Sequence, residues 1–284
     1  MKKKAQSSIR KSQTRRQKTK GRSAGEIQNK KFETNSKSEI RNSKQRRARV
    51  AIPIDATAAV SVAPPKKGLR VLIAAGPTRE YIDDVRYLSN ASSGRMGAAL
   101  AQAAWVAGHR ITLIVGPGEF APPNVEPPPC ELLIPVVSAE EMHRAVIRHA
   151  QDVDAVIMAA AVADYRPARR IRGKMKKTGK ELLLRLVPTP DILAELGRQK
   201  GRRVLVGFAL EAQDARANAL RKLREKHLDM IVVNSPAAMS AERATVELLF
   251  ASGHTEEMPD TSKAVIADRI VAALREMTPG KRVV

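Results

Sequence analysis

Residues 70–76 read RVLIAAG, and this short apolar run closed by a glycine decides the fold class. A run of this kind is typical of a strand that is buried on both faces of a parallel sheet. Comparable runs recur along the chain, at residues 111–115, 132–136, 155–159, 204–208 and 230–233. Helical patterns separate them. The alternation predicts an α/β fold, built on a doubly wound, Rossmann-like and mostly parallel sheet.

The helices and the remaining strands are predicted from capping signals and periodicity. Ser138 and Glu141 form the capping box that opens one helix, and Gly108 is a typical stop for the helix before it. Helices are expected at residues 94–108, from 138, from 190, at 212–226 and at 262–275, and further strands at 182–187 and 246–250. The folded domain is therefore expected to span residues 69–277.

The positive charge of the chain is concentrated in its first 70 residues. They hold 21 Lys and Arg against 4 Asp and Glu, so they carry +17 of the formal net charge of +22. Residues 1–50 contain too few apolar side chains to offset the entropy of ordering, and they are predicted to be a basic disordered tail. Residues 51–68 are predicted to be a linker, and residues 278–284 a carboxyl-terminal tail. Such a basic tail suits nucleic acid or another anionic surface, but we favour a merely solvated tail.

Cysteine content and hydropathy limit the environment of the chain. Cys130 is the only cysteine, which excludes an intramolecular disulfide and fits a reducing compartment. No apolar run reaches the roughly 18–20 residues of a membrane span, and the basic start lacks the apolar segment of a secretory signal. We therefore expect a cytoplasmic protein with no membrane partner, in which Cys130 is structural.

Two loops carry residues suited to a phosphorylated ligand. Gly76 follows the first strand, where open α/β sheets bind nucleotides. The hydroxyls and amides of Ser92, Ser93 and Gly94 open the next helix. The stretch has neither the glycine fingerprint of dinucleotide-binding proteins nor a Walker loop, and a plain glycine- and serine-rich turn explains it about equally well. Asn90 beside it either satisfies backbone groups or donates to a developing oxyanion.

A lone carboxylate and a cationic stretch follow the fourth strand. Asp164 either caps a turn or accepts hydrogen bonds from a ligand. Residues 169–180 carry seven basic side chains and two glycines, without apolar periodicity. Most such runs are solvated loops, yet flexible lysines also suit a triphosphate and a departing pyrophosphate. Lys222 and Lys226 lie one helical turn apart and have the same two interpretations.

The order and spacing of these motifs resemble the bacterial phosphopantothenate–cysteine ligase family, also called phosphopantothenoylcysteine synthetase, over about residues 69–275. The shared motifs are AGPTRE at 75–80, ID at 82–83, VR at 85–86, LSN at 88–90, SSG at 92–94, MG at 96–97, AVADYRP at 161–167, KMKK at 174–177, PDI at 190–192, VGFA at 206–209 and LD at 228–229. Agreement in order and spacing over about three quarters of the chain is highly specific.

The resemblance implies a two-step ligation in coenzyme A biosynthesis, unrelated to the ATP-grasp enzymes. The carboxylate of 4′-phosphopantothenate attacks the α-phosphorus of CTP and gives an acyl-cytidylate and pyrophosphate. The amine of L-cysteine then displaces CMP and forms 4′-phosphopantothenoyl-cysteine. Such chemistry depends on positioning and charge neutralisation and needs no protein nucleophile. Mg²⁺ and a homodimer are also implied, whereas the metal ligands are left unassigned.

Residue by residue, the resemblance assigns two catalytic positions and a nucleotide site. Lys174 matches the lysine needed for cytidylate formation, and Asn90 matches the asparagine that handles the intermediate. The positions that match the CTP site are Asp164, Lys174, Thr189, Pro190, Asp191, Ile192, Phe208, Lys222 and Lys226. The expected phosphate or substrate loop consists of Gly76, Ser92, Ser93 and Gly94.

The chain departs from the family pattern in the nucleotide pocket and at its amino-terminal end. Thr189 stands where asparagine is usual, Leu210 replaces the second alanine of a Gly-Phe-Ala-Ala-Glu motif, and residues 235–244 are short and different. Residues 1–68 are too short and too polar to fold as the flavin-dependent decarboxylase half of the bifunctional relatives. We therefore expect no flavin and a separate decarboxylase downstream.

Two other functions compete with ligation. A nicotinamide-dependent reductase would need the glycine fingerprint or, for the short-chain type, a Tyr-x-x-x-Lys pair. Neither Tyr81 nor Tyr165 has a lysine at that spacing, so this class is excluded. A nucleic-acid-binding protein with a degenerate ligase-like domain would depend on the basic tail and would not need Lys174. The presence of both Asn90 and Lys174 argues against degeneration.

Overall fold

The computed structural model describes residues 68–118, 128–210, 214–234 and 241–278. The predicted basic tail, almost all of the predicted linker and residues 279–284 of the predicted carboxyl-terminal tail lie outside these ranges. Within them, no helix has the length and apolar content that a membrane crossing requires.

The described part of the chain contains twelve strands and five α-helices, with two or three strands in succession between most helices. The strands are β1 (Arg70–Ala75), β2 (Arg79–Tyr81), β3 (Tyr87–Ser89), β4 (Arg110–Val115), β5 (Leu132–Pro135), β6 (Ala155–Met158), β7 (Tyr165–Pro167), β8 (Leu186–Pro188), β9 (Val204–Leu210), β10 (Met230–Asn234), β11 (Arg243–Phe250) and β12 (Thr255–Ser262). The helices are α1 (Arg95–Val106), α2 (Ala139–His149), α3 (Ile192–Arg198), α4 (Ala215–Glu225) and α5 (Lys263–Met277), and a 3₁₀ turn (Ala150–Asp152) extends α2.

The central sheet contains eight strands in the order β12-β11-β10-β9-β6-β1-β4-β5. The six strands from β10 to β5 are parallel, and β11 and β12 are added antiparallel at one edge. After β1 the chain moves to β4 and β5 on one side, and from β6 onward it fills the other side. The predicted doubly wound α/β fold is therefore confirmed. Its switch point lies between β1 and β6, where such folds bind ligands.

Helices cover both faces of the sheet and bury its side chains. On one face α1 and α5 pack against each other, with Leu100 and Ile270 fully buried. On the other face lie α2, α3 and α4, where Met142 and Leu196 are buried. Full burial of one such side chain stabilises the fold by about 1.5–3 kcal/mol. Because β1 is covered on both sides, its run from residue 71 to residue 75 has to be apolar throughout.

The structure corrects one predicted strand and adds others that the sequence did not indicate. The prediction of a strand at residues 182–187 is wrong in extent, since only β8 forms, and it pairs with β7 outside the central sheet. Leu183 is 91% exposed, so the leucine run before β8 has no sheet face to pack on. The strand β12 was not predicted, because it lies at an edge of the sheet and its mostly polar, exposed side chains give no apolar run in the sequence. The hairpin of β2 and β3 was not predicted either, because strands of three residues are too short to show the alternation of apolar and polar side chains.

Candidate active site

The loops that follow β1 and β6 lie side by side at the switch point. Pro77 and Ala161 form an isolated parallel bridge, and the amide of Ala161 donates to the carbonyl of Gly76 at 2.9 Å. Gly76 has a φ of +77°, and a side chain here would place its Cβ 2.9 Å from the carbonyl oxygen of Gly116. The backbone alone therefore explains glycine at this position.

A cleft of about 520 Å³ opens beside these loops. Of the nine residues that the resemblance assigns to the nucleotide site, eight line this cleft: Asp164, Thr189, Pro190, Asp191, Ile192, Phe208, Lys222 and Lys226. Asn90 lines it as well. The lining comes from β6, β9, β10, α3, α4 and four connecting segments, so only the tertiary structure brings it together.

The polarity of the cleft changes from its floor to its rim. The floor is apolar, since Met158, Leu228 and Ile231 line it and are buried. At the rim, the carboxylates of Asp164 and Asp191 are exposed to solvent. An apolar floor with a few charged groups above it is the arrangement that binds flat, charged small molecules such as nucleotides.

An ion pair at the rim joins Asp191 to Lys226. The Lys226 Nζ lies 2.8 Å from one carboxylate oxygen of Asp191 and 3.0 Å from the other. Asp191 is also the N-cap of α3 and accepts from the amide of Ala194 at 3.0 Å. Burial works to raise the pKa of Asp191, but the bonds from Lys226 and Ala194 outweigh it, and the net shift is downward. Asp191 therefore stays ionised and places Lys226 in the cleft.

Asn90 is held across the switch point by the loop that follows β6. It comes directly after β3, and its Nδ2 donates to the carbonyls of Ala161 at 3.2 Å and Val162 at 3.0 Å. These bonds use the amide nitrogen for the backbone, as the structural interpretation of Asn90 expects. They also hold the side chain in one orientation at the edge of the cleft.

Two threonines fix the loop that carries Asp164. Thr78 is fully buried, and its hydroxyl accepts from the amide of Ala163 at 3.0 Å. The hydroxyl of Thr189 donates to the carbonyl of Ala163 at 2.6 Å, and the Thr189 amide donates to the carbonyl of Asp164 at 2.9 Å. Threonine in place of the usual asparagine thus has a structural use at position 189. Thr78 was not among the predicted site residues, and its one sequence signal is a polar residue shortly after a buried strand.

The predicted phosphate or substrate loop lies next to the cleft, not in it. Ser92, Ser93 and Gly94 line a second cavity of about 140 Å³ at the amino end of α1. Phe208 lines both cavities and stands between them. Gly94 is the N-cap of α1 with a φ of +82° and has no side chain to cap the helix, while the amide of Arg95 donates to the hydroxyl of Ser93 at 3.5 Å. Gly76 lines neither of these two cavities.

Lys174 is the predicted nucleotide-site residue that does not line the cleft. Its side chain is exposed on the loop between β7 and β8. That loop is docked on the turn between β2 and β3, where Asp84 accepts from the amide of Gly173 at 2.7 Å. The structure thus places Lys174 beside the hairpin that leads to Asn90, and the role assigned to Lys174 stays a prediction.

A family model described as the DNA/pantothenate metabolism flavoprotein C-terminal domain matches residues 66–277. The chain is similar to the coenzyme A biosynthesis bifunctional protein CoaBC of Bacillus subtilis (strain 168), with 42% identity over 221 residues, which are 75% of this chain and 53% of that protein. It is also 42% identical over 212 residues to a cysteine/cysteine sulfinic acid decarboxylase of an unknown prokaryotic organism, covering 73% of this chain and 58% of that one. The chain thus spans little more than half the length of these relatives.

A solved structure supports the same relationship. The crystal structure of the C-terminal domain of a coenzyme A biosynthesis bifunctional protein CoaBC is similar to this chain with a TM-score of 0.63 and 37% sequence identity. The match covers 76% of this chain and 98% of that domain. The folded part of this chain therefore corresponds to the whole of that domain.

Proposed function

The chain belongs to the family described as the DNA/pantothenate metabolism flavoprotein C-terminal domain, and on that premise we propose that it is a phosphopantothenate–cysteine ligase of coenzyme A biosynthesis. The observation that carries the proposal is the cleft at the switch point, around which eight of the nine residues assigned to the nucleotide site meet. An unrelated function would give these distant residues no reason to share one cleft.

The reaction proceeds in two steps with CTP as the activating nucleotide. A carboxylate oxygen of 4′-phosphopantothenate forms a bond to the α-phosphorus, and the bond from that phosphorus to pyrophosphate breaks. The amine nitrogen of cysteine then forms a bond to the acyl carbon, CMP leaves with the former carboxylate oxygen, and the amine releases a proton. Both steps depend on holding the reactants in line and on stabilising moving negative charge.

The lysines of α4 and the aromatic ring of Phe208 serve the first step. Lys226 is placed in the cleft by Asp191, and Lys222 lies one turn earlier on the same helix. Their ammonium groups neutralise phosphate oxygens, while Phe208 and the apolar floor contact the flat base. Lys174 reaches the triphosphate from its loop and stabilises the departing pyrophosphate.

The residues of the cleft fit a Mg²⁺ ion carried by the nucleotide. Within the described ranges no group of three or more His, Cys, Asp or Glu side chains could hold a metal. Mg²⁺ is commonly bound through one or two carboxylates together with substrate phosphates, and the exposed carboxylate of Asp164 in the cleft suits that mode. When bound, the ion would supply charge neutralisation at the phosphates.

Asn90 serves the second step. Its amide nitrogen is held by the carbonyls of Ala161 and Val162, so the side chain is oriented before the acyl-cytidylate forms. With both N–H groups bonded to the backbone, the side chain presents its Oδ1 acceptor, which suits a donor such as the amine of the incoming cysteine. The position of Asn90 at the edge of the nucleotide cleft supports this role.

The environment of Cys130 supports a reaction without a protein nucleophile. Cys130 is half-buried near β5 and does not line the cleft. Burial raises the pKa of its thiol, which keeps it protonated and unreactive at neutral pH. The cysteine of this reaction is the free amino acid.

The remaining parts of the proposal concern partners. We propose a homodimer and a separate decarboxylase that acts downstream, both from the family relationship. We also propose that the enzyme works in the cytoplasm. The exposed leucines before β8 supply apolar surface for a second copy, since Leu183 is 91% and Leu182 56% exposed. Nucleic-acid binding is not favoured, because it depends on the basic tail alone.

The proposal is tested by measuring pyrophosphate release from the full chain with phosphopantothenate and Mg²⁺, with CTP or ATP, and with or without cysteine. We expect release with CTP, and formation of the amide product once cysteine is added. Lys174→Gln should abolish pyrophosphate release. Arg148→Gln on the exposed face of α2 makes the same charge change away from the cleft, so it should retain activity.

Three outcomes would contradict different parts of the proposal. A folded protein that releases no pyrophosphate with either nucleotide would exclude the ligase activity. Normal release by Lys174→Gln would leave the activity in place and remove the role of Lys174. Release with ATP but not with CTP would keep the proposed ligase activity and change only the identity of its nucleotide.

A further inference from the structure

The turn between β2 and β3 holds the loop that carries Lys174. On the amino side of that lysine, Asp84 Oδ2 accepts from the amide of Gly173 at 2.7 Å, and the Asp84 amide donates to the Gly173 carbonyl at 3.3 Å. Asp84 Oδ1 also accepts from the guanidinium of Arg170 at 3.0 Å. Asp84 therefore binds the peptide groups on the amino side of Lys174 twice, once as a hydrogen-bond acceptor and once as a donor.

The carboxyl side of Lys174 is held by the preceding aspartate of the turn. Asp83 is fully buried, and its Oδ2 accepts from the amide of Met175 at 3.1 Å. Its Oδ1 accepts from the amides of Val85 at 2.8 Å and Arg86 at 2.7 Å, which closes the turn itself. The guanidinium of Arg86 donates to the carbonyl of Met175 at 2.8 Å. The peptide groups on both sides of Lys174 are thus bound while its side chain stays exposed.

Both aspartates are ionised acceptors at neutral pH. The Val85 amide lowers the pKa of Asp83 against the opposing effect of desolvation, and the amides of Arg86 and Met175 add to it. The Gly173 amide, followed by Arg170, lowers the pKa of Asp84. Hydrogen bonds from amides to ionised carboxylates are stronger than those between neutral groups. The docking of the loop is therefore stronger than that of an ordinary surface turn.

The same hairpin also leads to Asn90. Its second strand, β3, ends at Ser89, and the next residue reaches across to the loop after β6. Ser89 itself donates from its hydroxyl to the carbonyl of Thr78 at 2.8 Å. One short element thus connects the docking point of Lys174 to the residue at the edge of the nucleotide cleft.

We propose that Asp83 and Asp84 are positioning residues for Lys174, which set where its loop stands relative to the cleft. The inference rests on the proposed ligase function. The aspartates act through the backbone on both sides of Lys174 and do not touch the substrates. Displacement of a reacting group by about 1 Å reduces turnover by as much as 10²-fold. Loss of this docking should therefore reduce kcat for pyrophosphate release more than it changes KM.

Asp84 is the residue to change first, because its side chain is half-exposed and its loss leaves the core intact. In Asp84→Ala of the full chain, hydrogen exchange of the amides at residues 171–176 should accelerate roughly tenfold, the effect of one lost charge-assisted bond. The kcat for CTP-dependent pyrophosphate release should fall about tenfold to hundredfold, with KM for phosphopantothenate within about twofold of wild type. Asp84→Asn keeps an oxygen acceptor and should lie between wild type and Asp84→Ala in both measurements.

Glu131→Ala is the matched control. It removes a partly exposed carboxylate that pairs with Arg110 at 2.7 Å at the β4–β5 edge of the sheet, where neither residue lines the cleft. It should leave both kcat and the exchange of residues 171–176 unchanged. Asp83→Asn is a second test: it should accelerate exchange at Met175 and lower kcat, provided that its circular dichroism matches wild type.

Three results would overturn the inference. Unchanged exchange at residues 171–176 in Asp84→Ala would show that the carboxylate does not hold the loop. Faster exchange with unchanged kcat would show that the docking does not serve the reaction. An effect on KM alone would assign the turn to substrate binding. A wild type that releases no pyrophosphate would instead overturn the proposed function. Hydrogen exchange alone would then show whether Asp84 holds the loop of Lys174.

Discussion

Lys226 reaches across the rim of the cleft to Asp191, with its Nζ 2.8 Å from the nearer carboxylate oxygen. The pair joins the end of α4 to the start of α3 and keeps this part of the rim close to neutral until a ligand arrives. In the proposed reaction the triphosphate carries more charge than one carboxylate and should compete with Asp191 for Lys226, which already lines the cleft. Asp191 remains occupied as the cap of α3 through the amide of Ala194.

Replacement of Lys226 should weaken nucleotide binding. Lys226→Met removes a charged hydrogen bond to phosphate, and the KM for CTP should rise about tenfold to hundredfold. Lys226→Arg keeps the charge, so the logarithm of its KM for CTP should rise by less than half as much as in Lys226→Met. Initial rates of pyrophosphate release at varied CTP measure both variants. An unchanged KM for CTP in Lys226→Met would remove this residue from the nucleotide site.

Asn90→Asp should separate the two steps of the reaction. A carboxylate cannot donate to the carbonyls of Ala161 and Val162, and it is repelled by both oxygens, so the side chain leaves its orientation. Pyrophosphate release should persist, while formation of the amide should fall by about 10²-fold, as for a reacting group that is displaced by about 1 Å. Quenched-flow analysis of both products measures this split. Equal loss of both products would place Asn90 in the first step.

Acid should destabilise the fold through His109. This side chain is fully buried, and burial together with the charge of Arg275 lowers its pKa to about 4. Between pH 6.5 and 4 the unfolded chain binds a proton that the folded chain does not, so the free energy of unfolding falls as the pH falls through this window. The total loss should be on the order of 3 kcal/mol, and above pH 6.5 this group should have no effect.

A variant isolates the contribution of His109 from those of other groups. The Nδ1 atom accepts from the amide of Leu69 at 3.1 Å, and the amide oxygen of asparagine can take that place. Urea unfolding of wild type and His109→Asn at several pH values should show a shallower decrease in the variant below pH 6.5. Parallel pH profiles would contradict the assignment.

Gly97→Ala should destabilise the contact between α1 and β1. A Cβ at this position would lie 2.2 Å from the Cβ of Ala75, so the helix has to move away from the strand. Overpacking of this kind costs roughly 1–3 kcal/mol in the free energy of unfolding. Gln102→Ala on the exposed face of the same helix is the control and should stay within about 0.5 kcal/mol of wild type. Chemical denaturation of both variants provides the comparison.

The fold class and the helix starts are predictable from the sequence because their causes are local. A strand covered on both faces must be apolar along its length, and the run at residues 70–75 predicts β1 residue for residue. The capping box of Ser138 and Glu141 is present at the start of α2, since it depends on a spacing of three residues. The strand predicted at residues 182–187 fails for the opposite reason: apolar content alone does not say whether a neighbouring strand is there to pair with.

The site was only partly predictable. The residues that line the cleft were named through a family resemblance, and no periodic pattern in the chain indicates that Phe208 and Asp191 face one cavity. Thr78, Asp83 and Asp84 were not named as site residues, because their importance depends on which backbone groups they reach. The serines at residues 92–93 were expected to form a phosphate or substrate loop; they line a cavity that shares Phe208 with the cleft, and their role stays a prediction.

By itself the sequence determined a doubly wound sheet, its family and the chemistry of its side chains. Only the tertiary structure decided which of those side chains meet. The bond from Met175 to Asp83 joins residues 92 positions apart, and Asn90 reaches a carbonyl 72 positions away. Contacts over such distances leave no repeat in the sequence, because they depend on how two loops pack once the strands that carry them are side by side.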